Sequence, residues 1–129
     1  MWDSFKEYIL SQCDGNPTRI AEIGVGKYDD VFQFLDSKEN IEIIKTDIAP
    51  NDSTVIKDDV TKPNLEIYKD MDIIYSIRPP SEIQPYLYEL AKKVNSKLII
   101  KPLFNEDLNI KSGEMKLKNY KRASFYVLK

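Results

Sequence analysis

The 129-residue sequence predicts an α/β protein: a doubly wound parallel sheet in three layers, completed by a C-terminal antiparallel hairpin. Three observations carry this expectation. Five short apolar or β-branched runs, RIAEI, IEIIKTD, TVIKD, MDIIYSI and KLIIKPL, recur along the chain, most of them separated by segments with helical spacing. A Gly-Val-Gly turn links the first run to a helical pattern. Near the end, Gly113 and a turn at Asn119 to Arg122 set off two further β-like runs, EMKLK and ASFYVLK.

The elements follow in order. Ser4 and Glu7 have the Ser-x-x-Glu spacing of a capping box, and Phe5, Ile9 and Cys13 recur at helical spacing, so the chain opens with an amphipathic helix within residues 1–16. Asp14, Gly15, Asn16 and Pro17 end it. Arg19 to Ile23 is the first strand, closed by Gly24. Val31, Phe32 and Leu35 then share one face of a helix over Tyr28 to Leu35, with Asp29 and Asp30 in its first turn, where the helix dipole favours acids. Ile41 to Asp47 is the second strand, followed by an exposed APNDST loop and the short strand TVIKD. Thr61 to Lys69 is too short for a long crossover helix. Met71 to Ile77 is nearly continuous in apolar residues, as a strand buried on both faces should be. From Ser81, a good N-cap, the residues Ile83, Leu87, Leu90, Ala91 and Val94 form one apolar stripe, and Pro85 falls early enough to cost little. Lys97 to Leu103 is the fifth strand. ASFYVLK carries apolar residues on both faces, so it is the inner strand of the hairpin. The expected organisation is one domain over 1–129, with an N-terminal helix (1–16), a cofactor-binding core (19–103) and a hairpin (104–129).

Composition narrows the chemistry. At 42% hydrophobic and 31% charged, no apolar run approaches the roughly 18 residues of a membrane span, and the N-terminus lacks a secretion signal, so a cytoplasmic location is expected. The one cysteine, Cys13, excludes an internal disulfide and reads as a buried residue near a helix end. The absence of histidine removes serine–histidine and cysteine–histidine catalysis, leaving carboxylates, Lys, Tyr and backbone groups. The formal net charge of −2 hides an asymmetry: residues 1–94 hold 11 basic and 18 acidic side chains, a balance of −7, and residues 95–129 hold 8 and 3, a balance of +5. A basic C-terminal face suits an anionic partner such as RNA, or is a solvated lysine-rich surface.

Ligands of doubly wound sheets bind beyond the carboxyl ends of the strands, at the switch point. There Glu22, Gly24 and Gly26 form E-x-G-x-G, where small residues admit a ligand close to the backbone. Asp47 ends the second strand 21 residues after Gly26, near the offset at which an acid accepts hydrogen bonds from a ribose diol. A dinucleotide fold usually has a third glycine where this chain has Asp29, and an acid there repels pyrophosphate. S-adenosylmethionine has no phosphate, so Asp29 and Asp30 are harmless to it. Asp58, Asp59 and Val60 end the third strand, where Asp59 can accept from an adenine amino group and the Val60 amide can donate to the ring. A turn is the competing reading of these acids, and a weak magnesium site ranks last, so no metal is expected. Tyr75 to Pro80, YSIRPP, closes the fourth strand and leads into the next helix.

These features resemble class I S-adenosylmethionine-dependent methyltransferases over most of the chain. More narrowly, IAEIGVGKYDDV, IYSIRPPSEI and KLIIKPL are similar to a small, uncharacterised archaeal family of Rossmann-like, methyltransferase-like proteins. The resemblance implies a Rossmann-like sheet with its five parallel strands in the order 3-2-1-4-5. By the same resemblance Glu22 would hold the methionine amino group, directly or through water, with Gly24 and Gly26 lining that moiety, Asp47 on the ribose, and Asp59 and Val60 on adenine. One departure matters. Amino-methyltransferases of bases often carry Asp or Asn before Pro-Pro and an aromatic after it, whereas this chain has Arg78 and Ser81.

No catalytic residue is identified, and the candidates are Arg78, Tyr75 and Ser76. Arg78 is suited to clamp an anion by its planar fork. No segment reads as a substrate-binding cap, so an enzyme of this form needs a macromolecular substrate, a partner subunit or a second copy across its open face. Three readings stay open: a minimal S-adenosylmethionine-binding domain transferring methyl to an anionic or RNA substrate, a non-catalytic binding or regulatory subunit of a complex, and a less favoured NAD-linked oxidoreductase.

Overall fold

The structure, a computed structural model, describes residues 2–24, 29–102 and 107–128. Its strands are β1 (Thr18–Ile23), β2 (Ile41–Asp47), β3 (Ile56–Lys57), β4 (Ile73–Ile77), β5 (Lys97–Lys101), β6 (Lys116–Tyr120) and β7 (Ala123–Leu128). The helices are α1 (Asp3–Ser11), α2 (Asp30–Asp36), α3 (Leu65–Tyr68) and α4 (Gln84–Val94). The strands make one sheet in the order β3-β2-β1-β4-β5-β7-β6. The first five are parallel, and β7 runs antiparallel to both β5 and β6. This is the expected order, with the hairpin added beside β5. β7 takes the inner place that its two apolar faces require.

Period-2 alternation divides the core between the two faces of the sheet. Ile20, Ile73, Tyr75, Ile99, Phe125 and Val127 pack under α1 and α2. Ala21, Ile23, Ile74, Leu98, Ile100 and Leu128 pack under α3 and α4, against Tyr68, Leu87, Leu90 and Ala91. The first face is aromatic. Phe5 lies edge-on to Phe125 with ring centroids 5.3 Å apart and edge-on to Tyr75 at 6.2 Å, and Tyr8 contacts Phe125 at 4.6 Å. Such contacts add specific geometry to the area they bury. Cys13 is buried at the end of the first helical segment, as expected, with its thiol 3.4 Å from the Ile9 carbonyl.

Several local expectations change. Ser4 and Glu7 do not form a capping box: Trp2 is the N-cap of α1, and no side chain caps it. Both residues reach the other end of the chain instead. The Ser4 hydroxyl accepts from the Arg122 amide at 3.2 Å, and Glu7 pairs with Lys121 at 2.5 Å, so α1 clasps the β6–β7 turn. Ser81 is not the cap of α4. It opens a 3-10 turn over Ser81–Ile83, with Pro80 as the flanking residue, and α4 starts only at Gln84. β3 keeps only two residues of TVIKD, because side-chain turns engage the chain on both sides: Asp52 accepts from the Thr54 amide at 2.8 Å, and Asp58 accepts from the Asn64 amide at 3.0 Å. Such local hydrogen bonds compete with strand pairing. Tyr28 of the expected second helix, Leu103 and Lys129 of the expected strands, and Gly26 lie outside the described residues.

Gln84, a polar residue in the segment expected to be helical from Ser81, is a buried polar bridge. Its amide nitrogen donates to the Pro79 carbonyl at 3.2 Å and its oxygen accepts from the Asn109 amide at 2.6 Å. The Asn109 side chain donates to the Ser81 carbonyl at 3.0 Å, so the segment before the hairpin is strapped to the Pro-Pro loop. Gln84→Ala strands a buried carbonyl and frees the strap, and should cost about 2 kcal/mol. Urea unfolding would measure the loss, and amide exchange at Asn109 should speed up while β-strand amides hold. Unchanged exchange at Asn109 would contradict the bridge.

Candidate functional site

The site is built where the sheet reverses its winding, between the carboxyl ends of β1 and β4. β1 is followed by Gly24, whose φ of +83° lies in the left-handed region that glycine enters without strain. Its amide donates to the Thr46 carbonyl at 2.9 Å. Across the switch point the Ser76 hydroxyl donates to the Ile23 carbonyl at 2.7 Å, binding the ends of β4 and β1 together. Two hollows open above them. The first, about 230 Å³, is lined by Ile23, Gly24, Asp47, Ile48, Asp58, Asp59, Val60, Pro80 and Ile83. The second, about 210 Å³, shares Gly24, Asp47, Pro80 and Ile83 with it and adds Ser76, Ile77, Arg78 and Pro79. Asp47 therefore stands at the seam.

The three acids differ in what they do. Asp47 accepts from the Ala49 amide at 2.9 Å, and its backbone carbonyl accepts from the Asp58 amide at 3.0 Å. Asp58 is committed to structure, accepting from Asn64 and, at 2.8 Å, from the Tyr68 hydroxyl, which lies 3.0 Å from Thr46 Oγ1. Asp59 accepts from the Thr61 hydroxyl at 2.7 Å and the Thr61 amide at 2.9 Å, and these bonds hold its carboxyl below the usual range. Val60 turns its side chain into the core beneath the first hollow. The sequence did not single out Ile48, Pro80 and Ile83 as site walls. Ile48 had a signal, an isoleucine in a polar loop directly after the strand-end acid, and 59% of it is exposed.

Under the floor sits Glu22, 2% exposed on the α1 and α2 face of the sheet. Tyr75, its register partner on β4, donates its hydroxyl to Glu22 Oε1 at 2.5 Å. Lys45, its partner on β2, is also buried, with Nζ 4.3 Å from the centroid of the Phe32 ring. Burial raises the Glu22 carboxyl to about 7, against the opposing pull of the Tyr75 hydrogen bond and the Lys45 charge and with a small push from Asp29. Burial also drives the Tyr75 phenol well above its ordinary value, so it stays protonated and donating.

Of the catalytic candidates, Tyr75 is fully buried with its hydroxyl on Glu22, Ser76 bonds inward to Ile23 while lining the second hollow, and Arg78 lines that hollow too. Arg78 has a φ of +54°, its amide donates to the Lys101 carbonyl at 2.6 Å, and its guanidinium lies 5.2 Å from the Trp2 ring centroid. The peptide bonds entering Pro79 and Pro80 are trans. Some of the basic tail is spent on structure: Lys121 holds Glu7, and Lys97 donates to Gln12 at 2.8 Å. Among the described residues no cluster of three or more acids, cysteines or histidines could hold a metal ion, and no helix is long and apolar enough to cross a membrane.

A family model, described as the uncharacterised protein family UPF0146, matches residues 2–129. A UPF0146 protein of Methanothermobacter thermautotrophicus is 40% identical over 126 residues, covering 98% of this chain and 93% of its own. Another, from Methanocaldococcus jannaschii, is 44% identical over 124 residues, covering 88% and 85%. Among solved structures, an S-adenosyl-L-methionine methyl transferase from Silicibacter pomeroyi superposes with a TM-score of 0.65 at 10% identity, covering 98% of this chain and 91% of its own. The antibiotic-resistance methyltransferase Kmr gives 0.55 at 9% identity, covering 95% and 91%. At such identities the likeness is one of fold.

The Glu22 carboxyl makes a prediction that needs no ligand. Below pH 4.5 it is protonated in the folded and unfolded chain alike. Between 4.5 and about 7 the folded state keeps a proton that the unfolded state releases, so stability falls as pH rises through this window and levels off above it. The penalty at neutral pH is about 3 kcal/mol at 1.36 kcal/mol per unit. Glu22→Gln removes it. The stability difference between variant and parent, from urea midpoints, should grow by about that amount in the variant's favour between pH 4.5 and 7.5. A difference independent of pH would mean that Glu22 titrates as an ordinary carboxyl.

Proposed function

The chain belongs to the UPF0146 family, and from its own site we propose that it is a minimal S-adenosylmethionine-binding domain whose chemistry is methyl transfer to an anionic substrate such as RNA. The observation that carries this reading is the pair of joined hollows with Asp47 at their seam. The first hollow has the walls an adenosine needs. Ile48, Val60, Pro80 and Ile83 offer apolar faces to a flat ring, Asp59 is an ionised acceptor for an amino group, and Asp47 presents carboxylate oxygens to a ribose diol.

The donor set also suits the methionine end. Glu22 is a buried carboxyl close to neutrality, and a ligand ammonium drawn to it, directly or through water, would shift it to the charged form. Tyr75 then acts as a positioning residue, fixing one carboxylate oxygen. Held by Glu22, Asp47 and Asp59, the cofactor would supply an electrophilic methyl group to the substrate's nucleophile. What the chain would contribute to methyl transfer is orientation, which requires neither histidine nor metal.

A second reading has two observations behind it. The hydroxyls of both Tyr75 and Ser76 bond inward, and the residue before Pro-Pro is a cation rather than a carboxylate or amide, which favours a cofactor-binding subunit without catalysis. Binding of the cofactor with no methyl incorporation into cell RNA or protein would select that reading. An NAD-linked activity is disfavoured by Asp29, which stands at the N-cap of α2 where pyrophosphate would sit.

Calorimetric titration with S-adenosylhomocysteine tests the proposal. Binding should tighten about tenfold between pH 6 and pH 8, with proton release on the acid side of 7, because the ligand's ammonium requires the ionised Glu22. In Glu22→Gln the pH dependence should vanish along with much of the affinity. No binding at millimolar ligand, with the fold intact, would sink the proposal.

A further inference from the structure

The two edges of the sheet differ. β3 is two residues long and offers almost nothing to pair with. β6 is five residues long, and among the described residues no strand follows it on its outer side. An edge strand presents a row of unpaired N–H and C=O groups that an extended segment of another chain can complete.

The side chains of β6 set what such a segment must carry. Register places Lys116 and Lys118 opposite Val127 and Phe125, on the face that packs under α1, and places Leu117 opposite Tyr126 on the other face. All three are exposed, Leu117 by 58%. Lys92 and Lys121 are paired with Glu114 and Glu7, but among the described residues no carboxylate lies within ion-pair distance of Lys116 or Lys118. A hollow of about 360 Å³, larger than either hollow at the switch point, opens beside these three residues, with Tyr8, Val127 and Leu128 also lining it. Glu114 lines it too, with its carboxylate held by Lys92 at 2.8 Å.

Charge decides between occupants. A second copy paired antiparallel about Leu117 would set the Lys116 of each chain against the Lys118 of the other, and like charges directly opposite destabilise a strand pair. A nucleic-acid backbone would use the lysines but leave Leu117 in water and bring phosphates against the edge carbonyls. An extended acidic segment uses every group: backbone on backbone, acids opposite Lys116 and Lys118, and an apolar residue between them opposite Leu117. We propose that β6 is a docking edge for such a segment of another protein, acidic and apolar in alternation. The same lysines that guard the edge against its own kind admit an acidic strand. β4, β5 and β7 separate this edge from β1, so the docking does not depend on what the switch-point cleft binds.

The probe is a short capped peptide alternating glutamate and valine, compared with a peptide of the same composition in block order, with an alternating lysine–valine peptide and with a short single-stranded RNA. The proteins are the parent, Leu117→Ser and the double variant Lys116→Glu/Lys118→Glu, whose exposed positions should leave circular dichroism and melting temperature at the parental values. The parent should bind the alternating acidic peptide saturably and the block peptide about tenfold more weakly. Amide exchange over residues 116–120 should slow on binding, while exchange in β1 and β4 holds. The double variant should lose about tenfold in affinity for the acidic peptide and bind the lysine–valine peptide instead, and Leu117→Ser should weaken binding without changing its salt dependence. Equal affinity for block and alternating peptides would overturn the proposal, since the lysines would then read charge alone. Absence of saturable binding, or binding without protection of the β6 amides, would overturn it as well. Tighter binding of RNA than of the acidic peptide, lost in the double variant, would assign the edge to nucleic acid and overturn the protein partner.

Discussion

The hydrogen bond between Tyr75 and Glu22 is the constraint on which the centre of the molecule depends. It joins register partners on β4 and β1, the two strands at which the winding of the sheet reverses. Both groups are buried, so a slip of one strand past the other would strand a phenol and a carboxyl away from water. On the opposite face the Ser76 hydroxyl repeats the link to the next residue along, the carbonyl of Ile23. The Tyr75 ring is held in turn by Phe5, and Phe5 by Phe125 of β7. The floor of the cleft is thus tied to the first helix and the last strand through three aromatic rings.

Above that floor the fold separates charges by strand. The acids Asp47, Asp58 and Asp59 end β2 or follow β3, and the cations Arg78 and Lys101 end or follow β4 and β5. Because the order is 3-2-1-4-5, β1 lies between the two groups, and Gly24 presents backbone alone at the boundary. A long ligand laid across β1 would meet acceptors at one end and donors at the other. Sheet topology orders the two sets of side chains along the strand ends.

The sequence revealed the frame more fully than the joints. The strands themselves and the inner place of β7 followed from apolar patterning, because burial on both faces leaves a long, redundant signal, and the strand order followed from the family resemblance. The positions of Glu22, Gly24, Asp47 and Asp59 could be read because strand ends in such sheets are predictable places. What escaped were interactions between residues far apart in the chain. Ser4 and Glu7 matched a local capping pattern and went instead to Arg122 and Lys121, more than a hundred residues away. Gln84 looked like a polar helix residue and became the bridge to Asn109, and Arg78 gave no sign in the sequence of its left-handed backbone. Side-chain hydrogen bonds of this kind obey no period, so no window of sequence exposes them.

The placement of β7 between β5 and β6 has a consequence for how the molecule comes into being. During synthesis β5 is followed by more than twenty residues before β7 exists, and for that interval the fifth strand presents an open edge of Leu98, Ile99 and Ile100. An unpaired apolar edge is the kind of surface on which other chains can template themselves. β7 is therefore the strand that covers this edge. The clasp of the β6–β7 turn to α1 accompanies the change from a nascent chain that could still pair with its neighbours to one that no longer offers this edge.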